Sequence, residues 1–463
     1  MEDVGATIFY DDEDDCMDYE CLQNNAEYDY DYVDMEKETL HELYQNCLSP
    51  SLYGTGYYLL PLLGSTILFR LFVLTQKYIS NWIFHILSAI LGLFVIEYYV
   101  QESFPVVIAF VLLSYSILYM PEKWHGSVRI FIPSLVILAY CECLMQPIVW
   151  HKVRSVIMIM AMKAISVAVD THGSNSNVPD FYSYVGYMLC SVTCIFGPWI
   201  SFKDYFSLRY FNTQIKWSIL CGIGYIFLSL VFLSISNCWT EWIFVDNSWK
   251  WLVAYKDALS FRSSHYFVSY LASALLILSG FPVSSSTIVK PLNIEFPRSL
   301  VQVVVYWNMP MHFWLKTYIF RPGIKKFGKF GAVTITYLIS SLLHGLNFQL
   351  ASVLLSLGFY TYVEFQLRAI LADTFDACVA SKECVKQKCT HKYNSYNSFV
   401  FVTNLIFAGL AMFHLAYLGL MFDTSDVQET GYSYSHTINK WTELGFASHW
   451  IALATYCVYF LIK

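Results

Sequence analysis

Charged residues are scarce in this chain of 463 residues, at 14%, whereas a typical soluble domain carries about 25%. The chain also lacks a basic domain, since its formal net charge is −7, and this argues against nucleic-acid binding. No G-x-S-x-G, no H-E-x-x-H and no phosphate-binding glycine loop is present, so nothing indicates a serine hydrolase, a zinc protease or a nucleotide-binding enzyme. Because 56% of the residues are apolar, we expect a membrane protein.

The acidic residues are concentrated near the amino terminus. Residues 1–42 contain 16 Asp or Glu and one Lys, a net charge of −15, and the remaining residues carry a net charge of +8. Few aliphatic residues are present in this stretch, so it cannot bury enough apolar surface to offset the entropy of ordering. We predict a disordered tail over 1–46 and a membrane domain over 47–463. Because the tail has no apolar stretch behind basic residues, we expect no secretory signal peptide.

Thirteen segments are apolar enough to be considered as membrane spans, which need about 20 residues. Two of them, 153–169 with Lys163 and 299–319 with Asn308, carry polar groups that are tolerated at membrane depth only in a cavity or inside protein. We predict these two as re-entrant or cavity-lining, and the others as about eleven transmembrane helices. The eleven lie at 55–75, 82–100, 104–120, 130–149, 182–200, 215–236, 263–281, 331–347, 348–367, 398–421 and 445–462.

Basic residues in short loops predict the orientation, since such loops stay in the cytosol. Residues 321–329 and 368–397 are rich in Lys and Arg, whereas 422–444 is mainly acidic. We therefore place the first two on the cytosolic side and the third on the lumenal side.

His344 and Asn308 are the candidate catalytic residues. His344 lies 15 residues after Lys329, about 22 Å along a helix and therefore deep in the membrane. Its imidazole can accept a proton near neutral pH, although His312 and His414 compete for this role. Asn308 places an amide at a predicted helix break that can line a polar pocket, and the alternative is a helix-end residue that satisfies backbone groups.

Three cysteines and one histidine form a cluster in the predicted cytosolic loop, here named the Cys/His cluster: Cys378, Cys384, Cys389 and His391. Three thiolates and one imidazole satisfy tetrahedral zinc, so we predict a structural zinc ion there. Free thiols or an S-acylated cysteine are the alternatives. Cysteines in apolar segments, Cys238 among them, are interpreted as small buried hydrophobic residues.

Several motifs resemble the membrane-bound O-acyltransferase (MBOAT) family, and the resemblance runs from about Cys47 to the carboxyl terminus. It implies an all-α polytopic fold, with re-entrant segments around a catalytic tunnel that acyl-CoA enters from the cytosol. The motifs are Trp150-His151-Lys152-Val153-Arg154, Ala161-Met162-Lys163-Ala164, Phe196-Gly197-Pro198-Trp199-Ile200-Ser201-Phe202, Lys290-Pro291-Leu292-Asn293, Trp307-Asn308-Met309-Pro310-Met311, Leu342-Leu343-His344-Gly345 and Phe413-His414-Leu415-Ala416-Tyr417-Leu418-Gly419.

The long Trp-rich motifs are similar, in particular, to those of family members that acylate Wnt proteins in the endoplasmic reticulum membrane. The resemblance implies transfer of a palmitoleoyl group from palmitoleoyl-CoA to a serine hydroxyl of a Wnt protein, which enables Wnt secretion and signalling. In that reaction His344 is the expected general base, and Asn308 orients the thioester carbonyl or stabilises its developing charge. Trp307 and Arg298 are candidate substrate-binding residues, Arg298 through the CoA phosphates.

Two other functions remain open at this point. An acyltransferase of the same family that acts on a lipid would use the same histidine and asparagine, and only its acceptor would differ. A polytopic transporter or receptor would use the polar membrane residues to bind a solute, but the chain shows no internal repeat of the kind that many transporters have.

Overall fold

The computed structural model describes residues 38–119, 128–173, 178–208, 214–244, 249–345, 347–384, 389–422 and 434–463. The chain divides into two compact units, residues 1–40 and 41–463. Only residues 38–40 of the first unit are described, so most of the predicted tail over 1–46 lies outside the described residues. The first helix begins at Leu40, inside that predicted tail.

The described residues are almost entirely helical, and one isolated β-bridge joins Ala377 and Tyr393. The predicted all-α fold is therefore confirmed. In chain order the helices are α1 Leu40–Leu43, α2 Ser49–Thr75, α3 Asn81–Val100, α4 Phe104–Leu118, α5 Val128–Leu144, α6 Pro147–Gly173, α7 Phe181–Met188, α8 Ser191–Cys194, α9 Phe202–Ser207, α10 Ile215–Ser234, α11 Thr240–Ile243, α12 Lys250–Ser279, α13 Leu292–Glu295, α14 Leu300–Trp307, α15 Met309–Leu315, α16 Arg321–Leu343, α17 Phe348–Phe375, α18 Ser398–Gly419, α19 Tyr434–Glu443 and α20 Ala447–Ile462. Turns of π-helix lie at Tyr44–Leu48, Ile235–Trp239 and Lys316–Phe320, and turns of 3-10 helix at Gln76–Tyr78, Gln101–Ser103 and Val283–Ser285.

Fewer helices than predicted are both long and apolar enough to cross a membrane. Among the described residues there are five such stretches, and a sixth if the pair α19 and α20, which meet at 71°, is one span. The predicted spans 82–100 and 104–120 fall in a single stretch, Asn81–Leu118. Helices α6, α12 and α16 are long, but they carry charged residues along with apolar ones. The other stretches are Leu40–Tyr78, Ile215–Ile243, Phe348–Phe375 and Ser398–Gly419.

Of the two forms predicted for 153–169, re-entrant or cavity-lining, the re-entrant one is wrong, because α6 is one helix of 27 residues. Lys163, the residue that prompted the prediction, is fully buried. Its ammonium donates to the carbonyl oxygens of Tyr187 at 2.9 Å and Met188 at 3.2 Å, and to Thr193 Oγ1 at 2.8 Å. The two carbonyls belong to the last turn of α7, where carbonyls lack helical partners. Three acceptors match the three donors of an ammonium, so the charge is accommodated inside a continuous helix.

A disulfide joins Cys47 to Cys238, and this corrects the interpretation of Cys238 as simply a small buried hydrophobic residue. It links the turn before α2 to the turn after α10. Next to it, Asn237 Nδ2 donates to Ser51 Oγ at 3.0 Å. The packing of these two turns, 191 residues apart, brings the thiols together.

Helix α17 separates two ends of the helical body, because its 28 residues span about 42 Å. At its first residue, the Phe348 ring lies 4.6 Å from that of Tyr434. In the same region, Lys250 Nζ at the start of α12 donates to the Glu443 carbonyl at 3.3 Å. Helices α10 and α12 form a hairpin, and Cys238 lies in the turn after α10. The disulfide is therefore at this end as well. The Cys/His cluster follows the last residue of α17 and lies at the opposite end.

Candidate active site

Asn308 interrupts the segment 299–319, and the predicted helix break is confirmed. Helix α14 ends before it and α15 begins after it, with Asn308 at φ −147° and ψ 91°. Its Oδ1 accepts the backbone N–H of Met311 at 3.1 Å, and its carbonyl accepts that of His312 at 2.9 Å. The capping function named as the alternative is thus present. The same contact orients the amide, because with its oxygen in the cap the NH2 group is the part that can donate to a ligand.

The chain at 288–290 lies along the break. The backbone N–H of Met309 donates to the Ile288 carbonyl at 2.8 Å, and that of Lys290 donates to the Tyr306 carbonyl at 3.2 Å. A break in a helix leaves backbone groups that need partners when they are buried. These two hydrogen bonds supply partners on both sides of Asn308 and fix the chain there.

Two aromatic residues anchor the far side of the break to α6. Trp314 is fully buried and its Nε1 donates to the Met162 carbonyl at 3.1 Å. One turn later, Tyr318 donates to Asp170 Oδ2 at 2.9 Å. The chain on both sides of Asn308 is therefore held by neighbouring elements.

His344 caps the end of α16, and Gly345 carries the chain out of the helix with φ +97°. A Cβ at Gly345 would lie 2.3 Å from Glu142 Oε2 and 3.4 Å from Arg154 Cδ. Only glycine combines this backbone conformation with such a close approach. The turn after His344 is therefore packed directly on α5 and α6, and Glu142 itself accepts a hydrogen bond from Trp150 Nε1.

His265 on α12 packs against the helix break at Asn308. Its ring stacks on Trp307 with centroids 4.2 Å apart and planes within 1°. Its Nε2 lies 2.7 Å from the Trp307 carbonyl oxygen, in the peptide that precedes Asn308. His265 therefore holds the peptide on the amino-terminal side of Asn308.

His265 is not among the site residues predicted from the sequence. Its signal was a histidine near the start of the apolar run 263–281, preceded by Arg262, and such ionisable residues in a span default to a functional hypothesis. Arg262 makes a bidentate pair with Glu295, at 2.8 and 2.9 Å, which ties α13 to α12. Tyr266 donates to the same carboxylate at 2.6 Å. This network fixes the stretch of α12 that presents His265.

The competing histidines occupy different surroundings. His312 lies on α15, one turn after Asn308, and its backbone N–H takes part in the cap. His414 is buried between α17, α18 and α20, where its Nδ1 is hydrogen-bonded to Ser448 Oγ and its ring lies 4.7 Å from Tyr360. His414 is thus part of a packed polar contact, as expected for a structural histidine.

Arg298, proposed as a ligand for CoA phosphates, points its guanidinium at backbone carbonyls. Its Nη2 donates to Cys378 at 2.7 Å and its Nε to Ala380 at 3.2 Å. These contacts give Arg298 a structural role in joining the start of α14 to the loop after α17. Its substrate-binding role, like that of Trp307, stays a prediction.

The Cys/His cluster is assembled in the structure. Its four candidate ligand atoms all lie within 4.8 Å of one another. His391 Nδ1 is 3.4 Å from Cys389 Sγ and 3.6 Å from Cys384 Sγ. Cys378 is fully buried, and its backbone N–H donates to Tyr393 at 2.9 Å. The loop therefore brings together four residues that are spread over fourteen positions.

Comparison with known proteins gives a consistent result over nearly the whole chain. Residues 126–377 match the membrane-bound O-acyltransferase (MBOAT) family. The chain is 34% identical to protein-serine O-palmitoleoyltransferase porcupine of Anopheles gambiae, over 92% of this chain and 94% of that protein. It is 35% identical to the Homo sapiens protein of the same name, over 92% and 98%. The chain is 25% identical to lysophospholipid acyltransferase 2 of Arabidopsis thaliana, over 36% of this chain and 44% of that protein.

Proposed function

The chain belongs to the membrane-bound O-acyltransferase family, and on that premise we propose that it is a protein-serine O-palmitoleoyltransferase. Its donor substrate is palmitoleoyl-CoA and its acceptor is a serine hydroxyl of a secreted Wnt protein. The observation that carries this proposal is the full-length similarity to two proteins of that activity, which extends beyond the region shared with a lysophospholipid acyltransferase. Family membership argues against the transporter and receptor interpretations.

The proposed chemistry is a direct acyl transfer. His344 removes the proton of the serine hydroxyl as its oxygen attacks the thioester carbonyl, since a hydroxyl is a weak nucleophile until a base acts on it. The tetrahedral intermediate then collapses, the carbon–sulfur bond breaks, and the CoA thiolate takes up the proton from the imidazolium. The products are a serine ester and CoA, and no acyl-enzyme is required.

Asn308 is proposed to stabilise the oxyanion of that intermediate. Because its Oδ1 is held by the backbone N–H of Met311, its NH2 group is oriented before substrate arrives. A donor that is fixed in advance avoids reorganisation during the reaction, and this is the main source of such stabilisation. The stack of Trp307 on His265 limits the rotation of the neighbouring residue and supports the same geometry.

We further propose that the protein resides in the endoplasmic reticulum membrane, with the disulfide end in the lumen. Disulfides persist in oxidising compartments, whereas the cytosol keeps thiols reduced. The Cys47–Cys238 disulfide lies at the end where His344 turns out of α16, and the Cys/His cluster, at the opposite end, contains free thiols. The basic segments 321–329 and 368–397 are then cytosolic, and the acyl-CoA enters from the same side. The Wnt acceptor approaches from the lumen.

The remaining ligands in the proposal are membrane lipids around the spans and a structural zinc ion at the Cys/His cluster. Thiolates and an imidazole are the ligands that zinc prefers in closed structural sites. The zinc ion takes no part in the acyl transfer itself.

The function is tested with the purified full-length protein in detergent. The protein is incubated with labelled palmitoleoyl-CoA and a Wnt-derived peptide that contains the acceptor serine, and the matched control is the same peptide with that serine replaced by alanine. We expect label on the serine peptide alone, in a linkage that resists neutral hydroxylamine and is released by alkali, as an oxyester should.

A lipid acceptor is tested in the same preparation. Labelled palmitoleoyl-CoA is offered together with lysophospholipids and the serine peptide. Label in phospholipid, with none in the peptide, would replace the proposal with the lipid-acyltransferase alternative.

A further inference from the structure

The Cys/His cluster lies next to the start of the segment that carries Asn308, and the two are connected by hydrogen bonds. We propose that the cluster holds a zinc ion, and that the metal-held loop positions α14 and therefore Asn308. The positioning part of this inference rests on the proposed function, whereas the metal site does not.

The distances in the cluster match a zinc tetrahedron. With zinc–sulfur and zinc–nitrogen bonds of about 2.3 and 2.05 Å, a tetrahedral site has sulfur-to-nitrogen edges of about 3.6 Å and sulfur-to-sulfur edges of about 3.8 Å. The two described edges from His391 Nδ1 are 3.4 and 3.6 Å. The four ligand atoms lie within 4.8 Å of one another. Small movements therefore suffice to place all four on one ion.

The backbone around Cys378 is built as a rigid support for a ligand. Asp376 adopts a left-handed conformation with φ +45°, and its carboxylate accepts the Lys392 N–H at 3.0 Å. The bridge between Ala377 and Tyr393 then brings the chain that follows His391 beside Cys378. Cys378 is fully buried, and a buried thiol of this kind is more accessible to a metal held by its neighbours than to an acylating enzyme.

Three hydrogen bonds connect this loop to the start of α14. The Arg298 guanidinium donates to the carbonyls of Cys378 at 2.7 Å and Ala380 at 3.2 Å. Ser299, which caps α14, donates from its hydroxyl to the Ser381 carbonyl at 3.1 Å. The carbonyl groups come from the chain between the first two cysteines of the cluster, so their positions depend on how that chain is held.

A buried ion pair on α17, between Glu364 and Arg368, also holds the start of α14. Glu364 Oε2 accepts the first backbone N–H of α14, from Leu300, at 2.8 Å. Arg368 donates to the carbonyls of Arg298 at 3.0 Å and Ala380 at 3.3 Å. It therefore joins the loop after α17 to the chain just before α14. Helix α14 has only eight residues, about 12 Å, and a shift of its first turn therefore reaches Asn308 directly.

The metal site is tested by elemental analysis of the full-length protein purified without chelators. We expect about one zinc per chain, and the loss of zinc in Cys384→Ser and Cys389→Ser. The matched controls are Cys143→Ser and Cys457→Ser, which replace exposed cysteines outside the cluster and should keep the metal. Replacement of zinc by cobalt should give the visible absorption of a tetrahedral thiolate site, a signature that a merely folded loop does not produce.

Three results would overturn the metal site. The first is a wild-type protein that contains no metal and transfers acyl groups at full rate. The second is zinc that is retained in both serine variants. The third is fatty acid attached to the cysteines of the Cys/His cluster. If wild type holds zinc but transfers no palmitoleate, the proposed function fails and the metal site stands. If it transfers palmitoleate without metal, the metal inference fails and the function stands.

The positioning role is tested by steady-state kinetics. Arg298→Ala and Cys384→Ser should each lower kcat about tenfold or more with little change in the KM for palmitoleoyl-CoA, because Asn308 is displaced while the donor site is intact. Restoring zinc to chelated wild type should restore kcat. A rise in KM at unchanged kcat for Arg298→Ala would instead assign its guanidinium to the CoA phosphates and contradict the positioning role.

Discussion

Gly345→Ala should impair catalysis through position alone, because it changes neither of the proposed catalytic side chains. The residue has φ +97°, and a Cβ would lie 2.3 Å from Glu142 Oε2. The backbone strain costs about 1–3 kcal/mol. Glu142 cannot simply move aside, since it holds the indole N–H of Trp150. Restoring an ordinary contact requires a shift of about 1 Å next to His344, and a misplacement of that size costs on the order of 10²-fold in rate.

Gly409→Ala is the matched control, because Gly409 lies inside α18 with nothing within 4 Å of its Cβ position. It should keep wild-type activity and gain slightly in thermal stability, since alanine is the better helix former. The assay is the initial rate of palmitoleoyl transfer per folded molecule, with unfolding followed in parallel. In a Glu142→Ala background, the same change at Gly345 should cost a smaller factor. A rate for Gly345→Ala within twofold of wild type would show that the turn after His344 tolerates a side chain, contrary to this prediction.

Three further predictions follow from the same geometry and from the family resemblance. Asn308→Ala should lower the transfer rate by about 10–10³-fold. This loss should not multiply with that of His344→Ala, because both residues act on one transition state. The rates of the two single variants and of the double variant check this. Cys47 and Cys238 should resist alkylation until a reductant is added, which peptide mass mapping detects, and labelling of either one beforehand would contradict the disulfide. A sixteen-carbon cis-monounsaturated donor should be preferred over an eighteen-carbon saturated one in direct competition, and equal use of the two would count against it.

The features of the fold that depend on local sequence could be predicted. Pro310 and the polar side chain of Asn308 in an apolar run indicate a helix break, and the break is present. The re-entrant interpretation of 153–169 failed because the partners of Lys163 come from the end of α7, more than twenty residues away in the chain. No pattern in the sequence predicts that the buried ammonium of Lys163 has three hydrogen-bond acceptors around it.

The candidate site was predictable to the same extent. His344 and Asn308 stand out as polar residues in apolar surroundings, and their motifs resemble those of the family. His265 was missed because its significance lies in a stack with Trp307, 42 residues away. The carbonyl partners of Arg298 lie 80 and 82 residues away. Contacts of this kind depend on tertiary packing, so a pattern in one chain cannot reveal them.

The most direct test of His344 as the catalytic base is the rate at which purified His344→Ala transfers labelled palmitoleate from palmitoleoyl-CoA to the serine of the Wnt-derived peptide. A missing general base should cost at least about 10²-fold in rate, in a protein that is still folded and inserted in the membrane. His414→Ala, which removes a buried histidine from the contact with Ser448, should lose stability but keep its activity per folded molecule. Near-normal transfer by His344→Ala, or an equal loss in folded His414→Ala, would contradict the assignment of the catalytic base.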